Sequence, residues 1–232
     1  MLEILYEDNH LLAVNKPAML PTMGVADDLP SLLKLAKEYL RRKFDKPGNV
    51  YLGIVSRLDA PVTGVVLLAR TSKSAARLAE QFRAREVEKT YWGIVEGMIV
   101  PPAGRVVDSM RKDERHRRMH VTAAATPGAQ RAELSYRSIS GGIGMPRLKQ
   151  PGSISLLEVR LHTGRKHQIR VQLSWAGFPI VGDRKYGGRS SFAKGIALHA
   201  RWLVIEHPVR KIPLAIEAPL PASWRGLVGW ED

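Results

Sequence analysis

Residues 65–69, Val-Val-Leu-Leu-Ala, form an unbroken apolar run of strand length between Gly64 and Arg70. Short runs of this kind recur along the chain, and none approaches the roughly 18 apolar residues of a membrane span. Residues 2–15 hold two more, broken by Glu7, Asp8 and Asn9, which predicts a hairpin. Lys16-Pro17 then ends strand pairing, because proline has no N–H to donate. Further strands are expected over residues 91–95, 132–136, 154–161 and 196–205. Helical spacing is confined to a few stretches. Residues 32–44 place Lys and Arg between Leu32, Leu33, Leu35, Ala36, Tyr39 and Leu40; a second helix, capped by Ser72, carries Ala75, Leu78, Ala79 and Phe82 on one side. Many strands with few helices give an α+β fold class, a mostly antiparallel mixed β-sheet flanked by a few helices, with residues 1–232 as a single domain. Two stretches read as loops. Residues 101–128 hold Arg105, Arg111, Lys112, Arg115, Arg117 and Arg118 amid Pro, Gly and Ala; residues 141–152, with four Gly and two Pro, read as an insertion between neighbouring strands.

Charge narrows the class of partner. Lys plus Arg number 36 against 22 Asp plus Glu, a formal net charge of +14. Such an excess suits a polyanion, since phosphate contacts and the counterions they release dominate nucleic-acid affinity. Ribosomal proteins and some membrane-surface proteins share this balance. With 44% hydrophobic residues the chain can bury a core, and with no cysteine it has no disulfide, no thiolate zinc site and no cysteine nucleophile. The amino terminus carries acids early and lacks the pattern of a secretory leader, so a cytoplasmic location is expected.

Two constellations carry chemistry. SRLDAPVTG, residues 56–64, sets Asp59 between two apolar segments, beside Arg57 and ahead of a turn-forming Pro and Gly. A carboxylate presented at a sheet edge in this way suits a nucleophile, but a structural Arg57–Asp59 ion pair or a turn cap fits the same residues. LHTGRKHQIRVQL, residues 161–173, begins at a strand end and passes through Thr163-Gly164 into a helix closed by Gly177. Basic residues crowding a helix start favour phosphate. His162 and His167 make a poor metal pair, because no Cys accompanies them and their i, i+5 spacing crosses a turn.

On these residues the chain resembles the RluA family of RNA pseudouridine synthases, whose motifs run HRLDxxTSG and TGRxHQIRVHL where this chain has SRLDAPVTG and TGRKHQIRVQL. EKTYWGIVEG at 88–97 is similar to the family's KTYLALVEG, and GFPIVGDRKYG at 177–187 to its GHPIVGDxxYG. VNKP at 14–17 and ALHA at 197–200 also have counterparts, so six blocks in order span nearly the whole chain. Ser56 stands where the family has His, and Val62-Thr63 where it has Thr-Ser. The resemblance implies the pseudouridine synthase catalytic fold and isomerisation of uridine in structured RNA, either rRNA or tRNA. It implies Asp59 as nucleophile, Tyr91 as the residue that stacks on the target base and helps remove the C5 proton, and Arg170 as the cation paired with the aspartate. Arg57 would occupy the stack the uridine leaves, Leu198 would line the pocket, and Arg165 and His167 would contact RNA backbone or support the site. Arg111, Arg115, Arg117 and Arg118 are the expected RNA contacts of the basic stretch. No cofactor and no metal is expected, nor a membrane, and a monomer suffices. The family often carries an amino-terminal S4-type RNA-binding domain; with the first block inside the first twenty residues, a compact chain without one is expected. The rival reading is a non-catalytic RNA-binding or ribosome-assembly factor that keeps the fold, against which the joint presence of Asp59, Tyr91 and Arg170 argues.

Overall fold

The structure, a computed structural model, describes residues 2–116, 118–144 and 153–224. Arg117 and the 145–152 part of the Gly/Pro-rich insertion lie outside the described residues. In chain order the elements are β1 (Glu3–Glu7), β2 (Leu11–Lys16), α1 (Leu32–Lys43), β3 (Gly53–Ile54), β4 (Thr63–Ala69), α2 (Ser72–Ala84), β5 (Glu88–Glu96), β6 (Ala103–Asp113), β7 (Arg118–Thr122), β8 (Gln130–Gly144), β9 (Ser153–Leu161), α3 (Gln168–Trp175), β10 (Leu198–Glu206) and β11 (Pro213–Glu217). The α+β reading holds. The chain divides into two compact units, one of residues up to Glu88 with Ala200–Leu220, the other of Lys89–His199 with residues from Pro221 on.

In the first unit the strand order is β1-β2-β4-β10, with β11 paired to β10 and β3 to β4. Residues 11–14 of β2 and 65–69 of β4 are apolar without alternation because both of their faces are covered. Leu11, Ala13, Leu67 and Ala69 pack one way, against Leu78 of α2, Leu203 and Ile205 of β10 and Ile216 of β11. Leu12, Val14, Val66 and Leu68 pack the other way, against Leu32, Ala36 and Leu40 of α1 and against Val50 and Leu52. Each such leucine contributes about 1.5–3 kcal/mol by leaving water. α1 starts where the Ser31 hydroxyl accepts from the Lys34 N–H. α2 is capped one residue earlier than expected: Thr71, still extended, accepts from the Ser74 N–H, and Ser72 is already helical. Its buried face also differs, since Ala79 is exposed and Gln81 buried. The Gln81 amide exchanges hydrogen bonds with the Glu206 backbone, at 2.9 Å to the carbonyl and 3.1 Å from the N–H, so a polar residue joins α2 to β10.

In the second unit the order is β5-β9-β8-β6-β7, with β5/β9, β9/β8, β8/β6 and β6/β7 all antiparallel. Residues 101–128, read from sequence as a basic loop, are instead mostly the β6/β7 hairpin, with Asp113 opposite Arg118 and Met110 opposite Val121. The apolar residues that pack inward there, Met110, Met119 and Val121, share one face of the two strands. Met110, fully buried, packs with Ala132, Val171 and Tyr186, and Met119 and Val121 close over it, while Arg105, Val107 and Arg111 point away. Residues 141–144 are the end of β8 rather than loop. No helix among the described residues is long and apolar enough to cross a membrane.

Candidate active site

The SRLDAPVTG segment lies in the first unit, between β3 and β4. Ser56, at the position where the family-like motif has His, stitches its start to β4: its hydroxyl accepts from the Leu67 N–H at 2.9 Å. The Thr22 hydroxyl then accepts from the Leu58 N–H at 3.2 Å and donates to the Leu58 carbonyl at 2.9 Å. One residue on, the Ala60 carbonyl accepts from the Met19 N–H at 2.7 Å and from Lys16 Nζ at 3.0 Å. The Val62 N–H closes a turn on the Asp59 carbonyl at 3.1 Å. Both peptide neighbours of Asp59 are therefore pinned, which fixes the backbone that presents its half-buried carboxylate. Met19 makes its bond from a positive φ of 66°, a conformation a non-glycine residue keeps only where its surroundings enforce it.

Lys16 is the strongest electrostatic feature of this turn. It is fully buried at the end of β2, and its ammonium donates to the carbonyls of Pro17 and Leu20, each at 2.9 Å, as well as to Ala60. Burial pushes its pKa down to about 7, opposed by the negative charge of Asp59. Gly64 follows, paired with Lys16, at φ +112°. A Cβ there would lie 2.6 Å from Ala200 N and 2.8 Å from its carbonyl carbon, and closer still to the oxygen, so only glycine fits.

The TGRKHQIR segment lies in the second unit. Gln168 is its buried organiser: its oxygen accepts from the Thr163 hydroxyl at 2.7 Å and the Arg165 N–H at 3.0 Å, and its amide donates to the Glu133 carbonyl and to Gln172, both at 3.0 Å. His167 begins α3 from a left-handed conformation, φ 54°, with no side-chain cap. Its Nδ1 is 2.6 Å from the Tyr186 hydroxyl, which accepts from the Met119 N–H. Arg170 is buried and held in two-pronged fashion by Asp183, Nε to Oδ2 at 2.7 Å and a terminal nitrogen to Oδ1 at 2.9 Å, with the Tyr186 ring 4.9 Å from its guanidinium carbon. The guanidinium plane is thus fixed by residues of its own unit.

Asp59 and the exposed Arg57 belong to the first unit; Tyr91, Arg165, His167, Arg170, Leu198 and the hairpin arginines belong to the second. Tyr91 is half-buried on β5 opposite Val159. Leu198 is buried at the start of β10, on the chain's approach to Gly93. Arg165 donates through Nε to the Arg131 carbonyl at 3.0 Å. Arg111 and Arg118 are exposed on β6 and β7, and Arg115 is exposed in the turn between them. Sequence reading gave no role to Lys16, Thr22, Asp183 or Tyr186. Lys16 does lie inside the VNKP block, and Asp183 and Tyr186 inside GDRKYG, which is the one signal that could have found them; Thr22 lies in none. Among the described residues no group of three or more His, Asp or Glu side chains is placed to hold a metal ion.

Comparison with known proteins adds three findings. The family described as RNA pseudouridylate synthase matches residues 10–175. The chain is 33% identical to a "tRNA pseudouridine synthase C" of Vibrio cholerae over 100% of its own length and 98% of that protein, and 35% identical to a "Ribosomal large subunit pseudouridine synthase D" of Xylella fastidiosa over 95% of its length and 66% of that protein. The chain spans just under two thirds of the Xylella protein. Among solved structures it resembles human RNA pseudouridylate synthase domain containing 4, with a TM-score of 0.76 and 28% identity over 97% of this chain and 92% of that one.

Proposed function

We propose, for a chain that belongs to the RNA pseudouridylate synthase family, that it isomerises uridine in structured RNA to pseudouridine with Asp59 as the nucleophile. One observation carries the assignment of Asp59: within the matched segment, its turn is pinned through both neighbouring peptides beside a buried ammonium. A carboxylate held this way is ready to attack without reorganising. Attack by the Asp59 carboxylate leads to cleavage of the bond between ribose C1′ and N1; the freed uracil turns, C5 bonds to C1′, the bond to Asp59 breaks, and the C5 proton is lost while N1 gains one. Nothing is oxidised or reduced, so the reaction needs no cofactor.

Tyr91 and Arg170 complete the catalytic set, with Tyr91 stacking on the base and assisting the loss of the C5 proton; both rest on the sequence blocks. Arg57 fills the stack left by the flipped uridine and Leu198 supplies apolar wall, as an enzyme acting on an extruded base requires. Arg165 and His167 support the site, and Arg111, Arg115, Arg117 and Arg118 contact RNA. The substrate is tRNA or rRNA, in keeping with the names of the relatives, and residues 1–232 act as one catalytic domain, monomeric and cytoplasmic.

The test is release of tritium from transcripts labelled at uridine C5. Wild type should release it from a tRNA or a large-subunit rRNA fragment, and Asp59→Asn should release none while binding the same RNA with unchanged affinity. Turnover by pure Asp59→Asn would overturn the nucleophile assignment, and a wild type that binds but never turns over would leave an RNA-binding factor.

A further inference from the structure

The face of the second unit's sheet that points away from α3 is ruled in rows by the strand register. Arg105, Ser135 and Arg160 stand side by side across β6, β8 and β9; Arg137 and Glu158 form the next row on β8 and β9, and Ser109 and Arg131 another on β6 and β8. The same face continues onto the hairpin, where Arg111 stands opposite His120. Two carboxylates lie beneath the guanidinium groups. Arg105 Nε and a terminal nitrogen of Arg131 reach Glu133 at 2.8 and 2.7 Å, and Arg137 and Arg160 each approach Glu158 at 3.4 Å. The glutamate side chains are only 9% and 15% exposed, whereas the four arginines are 59–64% exposed. The acids act as tethers and the cations form the surface. Both guanidinium groups on Glu133 hold its carboxyl below the usual range, so the tether stays charged at neutral pH.

We infer that this face is a second docking surface for RNA backbone, in which Arg105, Arg131, Arg137 and Arg160 extend the hairpin's basic tip across the sheet. Only the identity of the polyanion rests on the reaction proposed above. Each guanidinium has five donors and spends one or two on its glutamate, leaving fork edges for phosphate oxygens. Tethering also reduces the side-chain entropy lost on binding. Neighbouring strands about 4.8 Å apart and same-face residues about 7 Å apart give a regular grid of cations, which suits a repeating anion. An acidic protein fits less well, because a protein interface needs a desolvated apolar or aromatic centre. On these strands the exposed large apolar residue is Val107 alone among those described, at 44%.

The experiment compares a long structured transcript with a minimal stem-loop carrying the target uridine. Replacing Arg105, Arg131, Arg137 and Arg160 by Gln should lower the slope of log Kd against log salt on the long RNA by about 3–4, at about 0.9 per duplex phosphate contact. Isomerisation of the stem-loop should proceed at the wild-type rate, and the four Arg→Lys changes should retain most of the slope. In wild-type protein, saturating long RNA should protect these four arginines from phenylglyoxal, read by mass spectrometry, independently of how any variant folds. Unchanged slope and unprotected arginines would overturn the inference, as would loss of polyglutamate binding by the Gln variant with RNA binding intact. If wild type makes no pseudouridine in any RNA yet slope and protection behave as stated, the docking surface stands and the reaction assignment fails.

Discussion

Lys16 sits where a charge is hardest to keep, and the three carbonyls around it suit an ammonium, which has three donors and no acceptor. Its folded pKa of about 7 lies below the roughly 10.4 of an unfolded lysine, so folding penalises the charged form. That penalty is complete below pH 7 and is relieved as pH rises towards the unfolded value, so this group makes the fold more stable on the alkaline side. Activity should move the opposite way. Losing the proton removes the cation beside Asp59 and one donor to the carbonyls that fix its turn. The pH–rate profile should therefore have a basic limb with a midpoint near pH 7 while the melting temperature does not fall across it. Lys16→Met should lower turnover on the order of tenfold, one pKa unit of lost interaction, and should lack that limb. A variant profile that keeps the wild-type limb would remove Lys16 from the account.

At the scale of elements, the helix and strand positions legible in the sequence were those whose two faces are unambiguous. Residues 11–14 of β2 and 65–69 of β4 are apolar throughout because α1 and α2 cover opposite faces, and a run of that kind needs no partner to be recognised. The β6/β7 hairpin was hidden because one face carries Arg105, Arg111 and Arg118 among polar residues and the other is completed by residues far along the chain, Val171 and Tyr186. For the same reason the sequence shows Arg170 as a cation but not Asp183 as its holder, nor Tyr186 as the ring above it; those partners are set by the path of the chain after α3. The Asp59 turn was legible as a motif, whereas its pins, Thr22 and Lys16, come from outside it. Met110 tests how the hairpin is held. It is fully buried, so Met110→Ala should destabilise the protein by about 2–5 kcal/mol in denaturant melts. Because Met119 and Val121 lean on it, RNA affinity should fall too, while turnover on saturating RNA is retained. Normal RNA affinity in a destabilised Met110→Ala protein would show that the hairpin tip takes no part in binding.

For the whole chain, a net charge of +14 and a proposed nucleophile, Asp59, whose turn is pinned by internal hydrogen bonds divide the work between two kinds of interaction. Phosphate contacts hold RNA equally in the ground state and the transition state, so they set KM without raising kcat. The bonds that fix Asp59 are internal, short and largely shielded, so salt screens them little. Raising salt from about 50 to 200 mM should then raise KM for a long transcript steeply, by a factor on the order of 10³ for six or more phosphate contacts, and leave kcat almost unchanged. A short stem-loop, touching fewer phosphates, should show a shallower rise. Steady-state kinetics on both RNAs at fixed pH decides the matter. Were kcat to fall in step with the rise in KM, the basic surface would be contributing to the transition state itself, and binding and chemistry would not be separate.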